Sequence, residues 1–164
     1  MPTILINKIL VIRLSSLGDI LLTTPVIRAL KQQYSSAKID FVVKEQYQDS
    51  LLFNPNISNL FMYEKEKAEK LNSDLRDNSY DLVIDLQNNF RSHKLTGGVK
   101  AKIYRFKKPS IKKFFLVWFK INLLRDLKTI SQRYAETAGV NIDGKGPELF
   151  LPENITSRLE EGIN

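Results

Sequence analysis

Residues 8–25 read KILVIRLSSLGDILLTTP, and this stretch decides the fold. The run Lys8–Leu14 is short and rich in Ile, Leu and Val, which is typical of a strand buried on both faces of a sheet. Two serines, a glycine and an aspartate interrupt it, and apolar residues then resume at helical spacing over Asp19–Tyr34. Pro25 allows two interpretations of that helix: Thr24 caps a helix with Pro25 in its first turn, or one longer helix is kinked.

The same alternation of strand and helix patterns continues along the chain. Further strands are predicted at Lys38–Val43, Leu60–Tyr63, Tyr80–Leu86, Ala101–Arg105 and Leu149–Leu151. Further helices are predicted at Gln46–Phe53, Glu64–Asn78, Ser110–Leu127, Lys128–Ala138 (ending at Gly139) and Asn154–Gly162. Because the connections are short, the pattern predicts an α/β fold with a doubly wound parallel sheet covered on both faces.

Composition limits the classes of protein that remain. A chain of 164 residues with 43% apolar side chains is long enough for one domain with a proper core. The absence of cysteine excludes a disulfide scaffold and a zinc–thiolate site, and it favours a reducing compartment. The single histidine, His93, disfavours a histidine metal site or a Ser-His-Asp triad. The N-terminal apolar run lacks the features of a signal peptide.

The net charge of +7 is concentrated in one segment. Residues 91–134 carry thirteen basic and one acidic side chain. Such a block indicates an anionic partner, either nucleic acid, lipid headgroups or a phosphorylated ligand, or else a solvated basic face. Lys102–Lys128 also holds five Phe or Trp residues, so it is either a helix packed on the sheet or a contact with an anionic membrane surface. The residues predicted for that contact are Arg105, Lys107, Lys108, Lys112, Lys113 and Trp118.

The turn Ser15–Asp19 follows the first strand at the edge where doubly wound sheets bind ligands. Gly18 would let the backbone turn sharply or approach a ligand closely. Asp19 stands where the helix begins, so it would cap free N–H groups with a gain of about 1 kcal/mol, and the helix dipole would favour its ionised form. One glycine is not the G-x-G-x-x-G fingerprint, and no P-loop lysine follows. The residues alone leave Asp19 as a helix cap or a ligand-facing carboxylate.

Three stretches resemble one family. Residues 8–31, KILVIRLSSLGDILLTTPVIRALK, closely resemble the N-terminal signature of glycosyltransferase family 9, the bacterial lipopolysaccharide heptosyltransferases. Residues 80–92, YDLVIDLQNNFRS, resemble the family's later strand and loop, although Asn88 stands where many members carry glycine. Residues 133–152, RYAETAGVNIDGKGPELFLP, resemble the segment that closes the family's first half, although the histidine often found just before Arg133 is absent.

The resemblance implies a GT-B architecture with two Rossmann-like domains and an active site between them. It implies that residues 1–152 form the N-terminal, acceptor-binding domain and that residues 153–164 begin a linker helix to a C-terminal donor domain missing from this sequence. Catalysis in the family is inverting and uses neither metal nor cofactor. The donor ADP-heptose is expected to bind mainly the missing domain, so this chain alone is expected to be inactive.

The resemblance also implies roles for particular residues. Asp19 matches the catalytic base, and the matched cleft-lining residues are Ser15, Ser16, Gly18, Gln87, Arg91 and Ser92. Asp85 matches as well, but at a strand end it would equally serve to hold loops by accepting N–H bonds. The implied partner is a lipid-linked anionic saccharide acceptor rather than nucleic acid, and the implied location is cytoplasmic, on the inner face of the inner membrane. A basic nucleic-acid-binding module and a small nucleotide-binding α/β module are the competing interpretations.

Overall fold

The computed structural model of the chain describes residues 5–107 and 128–152. In these ranges five parallel strands form one sheet in the order β3-β2-β1-β4-β5. The strands are β1 (Lys8–Ile12), β2 (Lys38–Lys44), β3 (Asn59–Tyr63), β4 (Leu82–Asp85) and β5 (Lys102–Arg105). The prediction of a doubly wound parallel sheet is confirmed.

Helices cover both faces of this sheet. They are α1 (Leu17–Leu21), α2 (Thr24–Gln33), α3 (Ala68–Asp77), α4 (Phe90–Leu95) and α5 (Ile130–Ala138), with a 3₁₀ helix at Glu45–Ser50. Residues of α1, α2 and α5 contribute to the core on one face, and residues of α3 and α4 contribute to the core on the other. The thin apolar stripe predicted for the third helix, Ala68, Leu71 and Leu75, is its buried face.

The central strand β1 explains why the sequence favours this arrangement. Ile9 and Val11 enter one core and Leu10 and Ile12 enter the other, and all four are fully buried. A strand buried on both faces needs a continuous apolar run instead of an alternating one, and KILVI supplies it. This strand therefore joins the two cores and ends directly at the polar turn.

Two local signals act as the sequence indicates. α2 begins at Thr24 with Pro25 in its first turn, so a break between α1 and α2 replaces a kinked helix; the N-cap is Thr23 and not Thr24 as predicted. α5 ends at Gly139, whose φ of 70° lies in the left-handed region that glycine adopts at low cost.

Three predictions differ from the structure. The predicted helix Gln46–Phe53 is a shorter 3₁₀ helix, and the six-residue helix α4 was not predicted. Leu149–Leu151 is not a strand. The preceding segment is instead held on α2, because Arg28 pairs with Asp143 and Glu148 and the hydroxyl of Thr24 accepts the N–H of Glu148.

Some predictions lie outside the described residues. These are the helices Ser110–Leu127 and Asn154–Gly162, and four of the predicted contact residues, Lys108, Lys112, Lys113 and Trp118. Within the described ranges, the helices are too short or too polar to cross a membrane.

Candidate functional site

The candidate site lies at the carboxyl edge of β1 and β4. These neighbouring central strands continue in opposite directions, since β1 leads to β2 on one side and β4 leads to β5 on the other. Such a switch point leaves a crevice in which α/β proteins bind ligands. The turn after β1 and the loop after β4, which are the first two stretches resembling the family, meet here.

Asp19 combines a capping role with an ion pair. Its Oδ2 accepts hydrogen bonds from the hydroxyl of Ser16 (2.9 Å) and the backbone N–H of Ser16 (3.3 Å), which closes a capping box at the start of α1. The same oxygen lies 2.6 Å from Nη2 of Arg13. The side chain of Asp19 keeps 35% of its exposure, so it remains accessible from the edge of the sheet.

These contacts decide the protonation state of Asp19. Burial raises the pKa of this carboxyl, but the hydrogen bonds from Ser16 and the charge of Arg13 outweigh it and bring the pKa below its usual range. Asp19 is therefore ionised at neutral pH. A carboxylate of low basicity can accept a proton only from a hydroxyl that is held close and that loses its proton as a new bond forms.

Arg13 is a buried cation that the sequence analysis did not single out. Its Nη1 donates to the carbonyl of Leu86 (2.7 Å), and its guanidinium carbon lies 5.5 Å from the ring centre of Tyr134. In the described part of the chain its buried Nε has no hydrogen-bond partner. The available signal was one charged residue at the end of an otherwise apolar strand, directly before the polar turn.

Tyr134 comes from α5, a helix to which the sequence analysis assigned no function. It is almost fully buried and packs edge-on against Phe106, with ring centres 4.8 Å apart. Burial raises the pKa of Tyr134 to about 12, although the nearby charge of Arg13 acts in the opposite direction. The phenol therefore stays neutral and covers the Arg13–Asp19 pair.

Gln87 ties the two loops together. Its Oε1 accepts the backbone N–H groups of Leu14 (2.9 Å) and Ser15 (3.3 Å), and the residue is buried. The side-chain oxygen that the resemblance assigns to substrate is thus engaged by the backbone of the other loop.

Asp85 is fully buried and accepts four donors. Its Oδ1 accepts the N–H groups of Gln87 (3.1 Å) and Asn88 (2.8 Å). Its Oδ2 accepts the hydroxyl of Ser92 (2.8 Å) and Nη1 of Arg105 (2.5 Å). This geometry favours the loop-holding role that the sequence left open for Asp85. Ser92, itself fully buried, serves the same network.

The conformation of Asn88 explains how the second loop forms without the glycine that many members of the family carry at this position. Its φ of 41° lies in the left-handed region, which asparagine adopts more readily than most residues. Its side chain also donates to the carbonyl of Phe106 (2.8 Å) and contacts Nε2 of His93 (2.8 Å). The loop can therefore follow a path for which glycine is the usual choice.

The remaining predicted residues are accessible. Ser16, Gly18 and Arg91 are exposed, and Ser15 is half-buried. Arg91 lines a surface hollow of about 380 Å³ together with Lys44 and Lys65, beside the ends of β2 and β3. Gly18 does not provide a sharp turn as predicted, because it lies within α1 and its φ is not positive, and an added Cβ would meet no atom within 4 Å.

The two predicted cationic contact residues in the described ranges differ, because Arg105 is half-buried and Lys107 is exposed. Arg105 donates from Nη1 to Asp85 and from Nη2 to Thr96 (3.0 Å), so both terminal nitrogens are engaged within the domain. In the described ranges no cluster of His, Asp and Glu side chains has the geometry of a metal site.

Comparisons with known proteins agree with this fold. No family model matches the chain. A glycosyl transferase family 9 protein from Veillonella parvula superposes with a TM-score of 0.69 at 24% identity, over 94% of this chain and 48% of that one. The Escherichia coli ADP-heptose lipopolysaccharide heptosyltransferase II superposes with a TM-score of 0.64 at 21% identity, over 96% and 50%. The fold is thus a Rossmann-like α/β domain of the kind that forms one half of a GT-B glycosyltransferase.

Curated sequences make the relationship more specific. Lipopolysaccharide heptosyltransferase 3 of E. coli is 40% identical over 78 residues, which are 42% of this chain and 23% of that protein. Lipopolysaccharide heptosyltransferase 1 of Campylobacter coli is 29% identical over 113 residues, which are 66% and 33%. The chain is related to the heptosyltransferases of glycosyltransferase family 9, and its matches span a quarter to a third of those curated relatives' length.

Proposed function

We propose that this chain is the acceptor-binding domain of an inverting, heptosyltransferase-like glycosyltransferase and that Asp19 is its catalytic base. The observation that carries the proposal is an ionised, accessible carboxylate at the switch point of a sheet shared with heptosyltransferases. The names of the relatives point to ADP-heptose as donor and to lipopolysaccharide as the product that receives the heptose.

The proposed reaction follows from the state of Asp19. An acceptor hydroxyl attacks the anomeric carbon of the donor sugar from the face opposite ADP, and ADP leaves with the electron pair of the broken C–O bond. The hydroxyl proton passes to Asp19 as the new C–O bond forms. Because the pKa of Asp19 is low, this transfer occurs late and requires the hydroxyl to be held within hydrogen-bonding reach. The reaction needs neither a metal nor a cofactor.

An anionic acceptor suits the edge that surrounds Asp19. In the described part of the chain, no ion pair engages the exposed guanidinium of Arg91, whose hollow is lined by Lys44 and Lys65 and also by three glutamates, Glu45, Glu64 and Glu66. Cations at this edge would bind acidic sugars or phosphates of the acceptor. Ser15 and Ser16 supply hydroxyls beside Asp19. We assign Gln87, Asp85 and Ser92 to the support of these loops, since their contacts lie inside the domain.

A donor domain is part of the proposal. Residues 1–152 would supply the acceptor wall, residues 153–164 would begin the linker, and a second domain would bind ADP-heptose. The matched structures are about twice as long as the matched part of this chain, which supports that division. We therefore expect the 164-residue chain to bind acceptor and to show no transfer on its own, since half of the contacts that orient the reactants would be absent.

Acceptor binding can be tested on the chain as it stands. A phosphorylated inner-core saccharide of lipopolysaccharide, titrated into labelled protein, should shift the amide signals of Ser15–Asp19 and of Arg91. Arg91→Gln should weaken binding, whereas Lys31→Gln on the outer face of α2 should not. A random RNA oligonucleotide of equal charge serves as the competing ligand. Tighter binding of RNA than of saccharide at physiological salt would favour the nucleic-acid module instead.

We also propose that a lipid-linked acceptor brings the domain to the cytoplasmic face of the inner membrane. The exposed Lys107 and the basic composition of the segment that follows it support this contact. Co-sedimentation with vesicles is the test. Binding to anionic but not neutral vesicles is expected, and equal binding to both, or none, would refute the membrane contact.

A further inference from the structure

We infer that Arg13 is a positioning residue for Asp19, because its buried guanidinium holds in place the carboxylate that would accept the proton of the acceptor hydroxyl. This inference rests on the proposed role of Asp19 as the base. It assigns a function to a residue that sequence patterns place in a core strand.

The two oxygens of Asp19 have unequal surroundings. Oδ2 receives three donors, namely Nη2 of Arg13 and the N–H and hydroxyl of Ser16, and the hydroxyl of Tyr134 also interacts with this carboxylate. Oδ1 receives none of the three donors to Oδ2. A carboxylate held by one oxygen in this way cannot rotate freely, so the oxygen that accepts a proton occupies one place relative to the edge of the sheet.

Arg13 is itself held on two further sides. Its Nη1 is bonded to the carbonyl of Leu86, which directly precedes Gln87 in the second loop. The ring of Tyr134 lies over the guanidinium and shields it from solvent. The hydroxyl of Tyr134 also interacts with Asp19, so α5 contributes a polar group to the surroundings of the pair. Through Arg13, the side chain of Asp19 is thereby held in a fixed position relative to β1, the second loop and α5.

Stability alone does not account for this arginine. A buried cation loses hydration, and its Nε stays without a hydrogen-bond partner in the described residues, so an apolar residue of similar size would fill the space at lower cost. The feature that an apolar residue would not reproduce is the fixed contact with Asp19. The same charge keeps Asp19 ionised, so the geometry and the protonation state of the base depend on one side chain.

The experiment measures Asp19 directly in the isolated chain. Carbon-detected NMR titration gives the pKa of its carboxyl, and three-bond couplings give its χ1 rotamer. In Arg13→Met we expect the pKa of Asp19 to rise by about one pH unit and χ1 to become averaged. Arg13→Lys retains the charge without both contacts, so it should leave the pKa lowered while χ1 still averages. This lysine variant also serves if Arg13→Met fails to fold.

A matched control is available in Arg28, which forms the ion pair with Asp143. Arg28→Met should raise the pKa of Asp143 and leave the pKa and rotamer of Asp19 unchanged. An unchanged Asp19 in a folded Arg13 variant would overturn the inference. A different result would overturn the proposed function alone: the pKa and rotamer of Asp19 change in the Arg13 variants, but replacing Asp19 in a two-domain enzyme leaves transfer intact.

Discussion

The side-chain oxygen of Gln87 lies 2.9 Å from the backbone nitrogen of Leu14 and accepts its hydrogen bond. The two residues are far apart in the chain, but each lies just beyond the end of one of two adjacent strands, β1 and β4. The contact makes the turn after β1 and the loop after β4 one structural unit, because Gln87 holds the chain at the point where it leaves the core.

Replacing Gln87 with leucine should therefore destabilise the domain. The substitution would leave the N–H groups of Leu14 and Ser15 without their acceptor, which typically costs about 1–3 kcal/mol. Urea unfolding followed by the fluorescence of Trp118 measures this change in the free energy of unfolding. The control Gln32→Leu lies on the exposed side of α2, so it should change stability by no more than about 0.5 kcal/mol. Equal effects of both substitutions would contradict the role of Gln87.

Replacing Gly18 with alanine tests the contribution of this residue to acceptor binding separately from its contribution to stability. Gly18 lies in α1 and an added Cβ meets open space, so stability should be unchanged or rise by about 0.5–1 kcal/mol. Acceptor binding should weaken if this open space receives the ligand, as isothermal titration calorimetry would show. Gly139→Ala is the opposite control, because the φ of 70° at Gly139 disfavours alanine and the substitution should destabilise the fold. Full binding by Gly18→Ala would argue against close approach of the ligand here.

Replacing Asp19 with asparagine tests the proposed base. The measurement needs a two-domain enzyme, made by fusing residues 1–152 to the remaining half of the E. coli heptosyltransferase II. If the unmodified fusion is active, Asp19→Asn should lower kcat by about 10²–10⁴-fold while the KM for acceptor changes little. The same substitution at the exposed Asp49 should leave both constants unchanged. Retained transfer by Asp19→Asn would leave the capping box as the better account of Asp19.

The ion pair between Arg28 and Asp143 should weaken in acid. The hydrogen bonds from Arg28 lower the pKa of Asp143 to about 2. Because the folded pKa lies below the usual value of about 3.9, the stabilisation is fully present above pH 4 and is lost as pH falls towards 2. NMR titration of Asp143 and acid unfolding measure the effect. In Asp143→Asn the loss of stability between pH 4 and pH 2 that stems from Asp143 should disappear. A pKa near 4 for Asp143 in the parent protein would contradict the prediction.

The sheet could be predicted from sequence because its physical signal is local. Strands buried on both faces are rich in consecutive apolar residues, and ILVI, FVV and LVI are such runs. Helix α4 escaped prediction because its six residues, FRSHKL, are mostly polar, although the residue before it, Asn89, is a good helix cap. The prediction of a strand at Leu149–Leu151 was wrong because a short apolar run does not indicate whether the edge of another strand is near enough to pair with it.

The candidate site was predictable in position but not in internal contacts. The polar turn after β1 marks Ser15–Asp19, and the roles of Asp19, Gly18 and Arg91 in binding or catalysis stay predictions. The pairing of Arg13 with Asp19 depends on how the chain turns between them, which spacing alone does not specify. The contacts of Gln87 with the first loop and of Asp85 with Asn88 likewise join groups whose proximity depends on the path of the loops.

The strand β1 has a consequence for motion. Its side chains alternate between two cores, so it cannot shift or rotate without opening both of them. The amides of Leu10 and Val11 should then exchange with solvent only through global unfolding. The turn that leads to Asp19 thus follows a strand that resists displacement, and in the two-domain enzyme proposed above a closing movement would take place between the domains and not within this sheet.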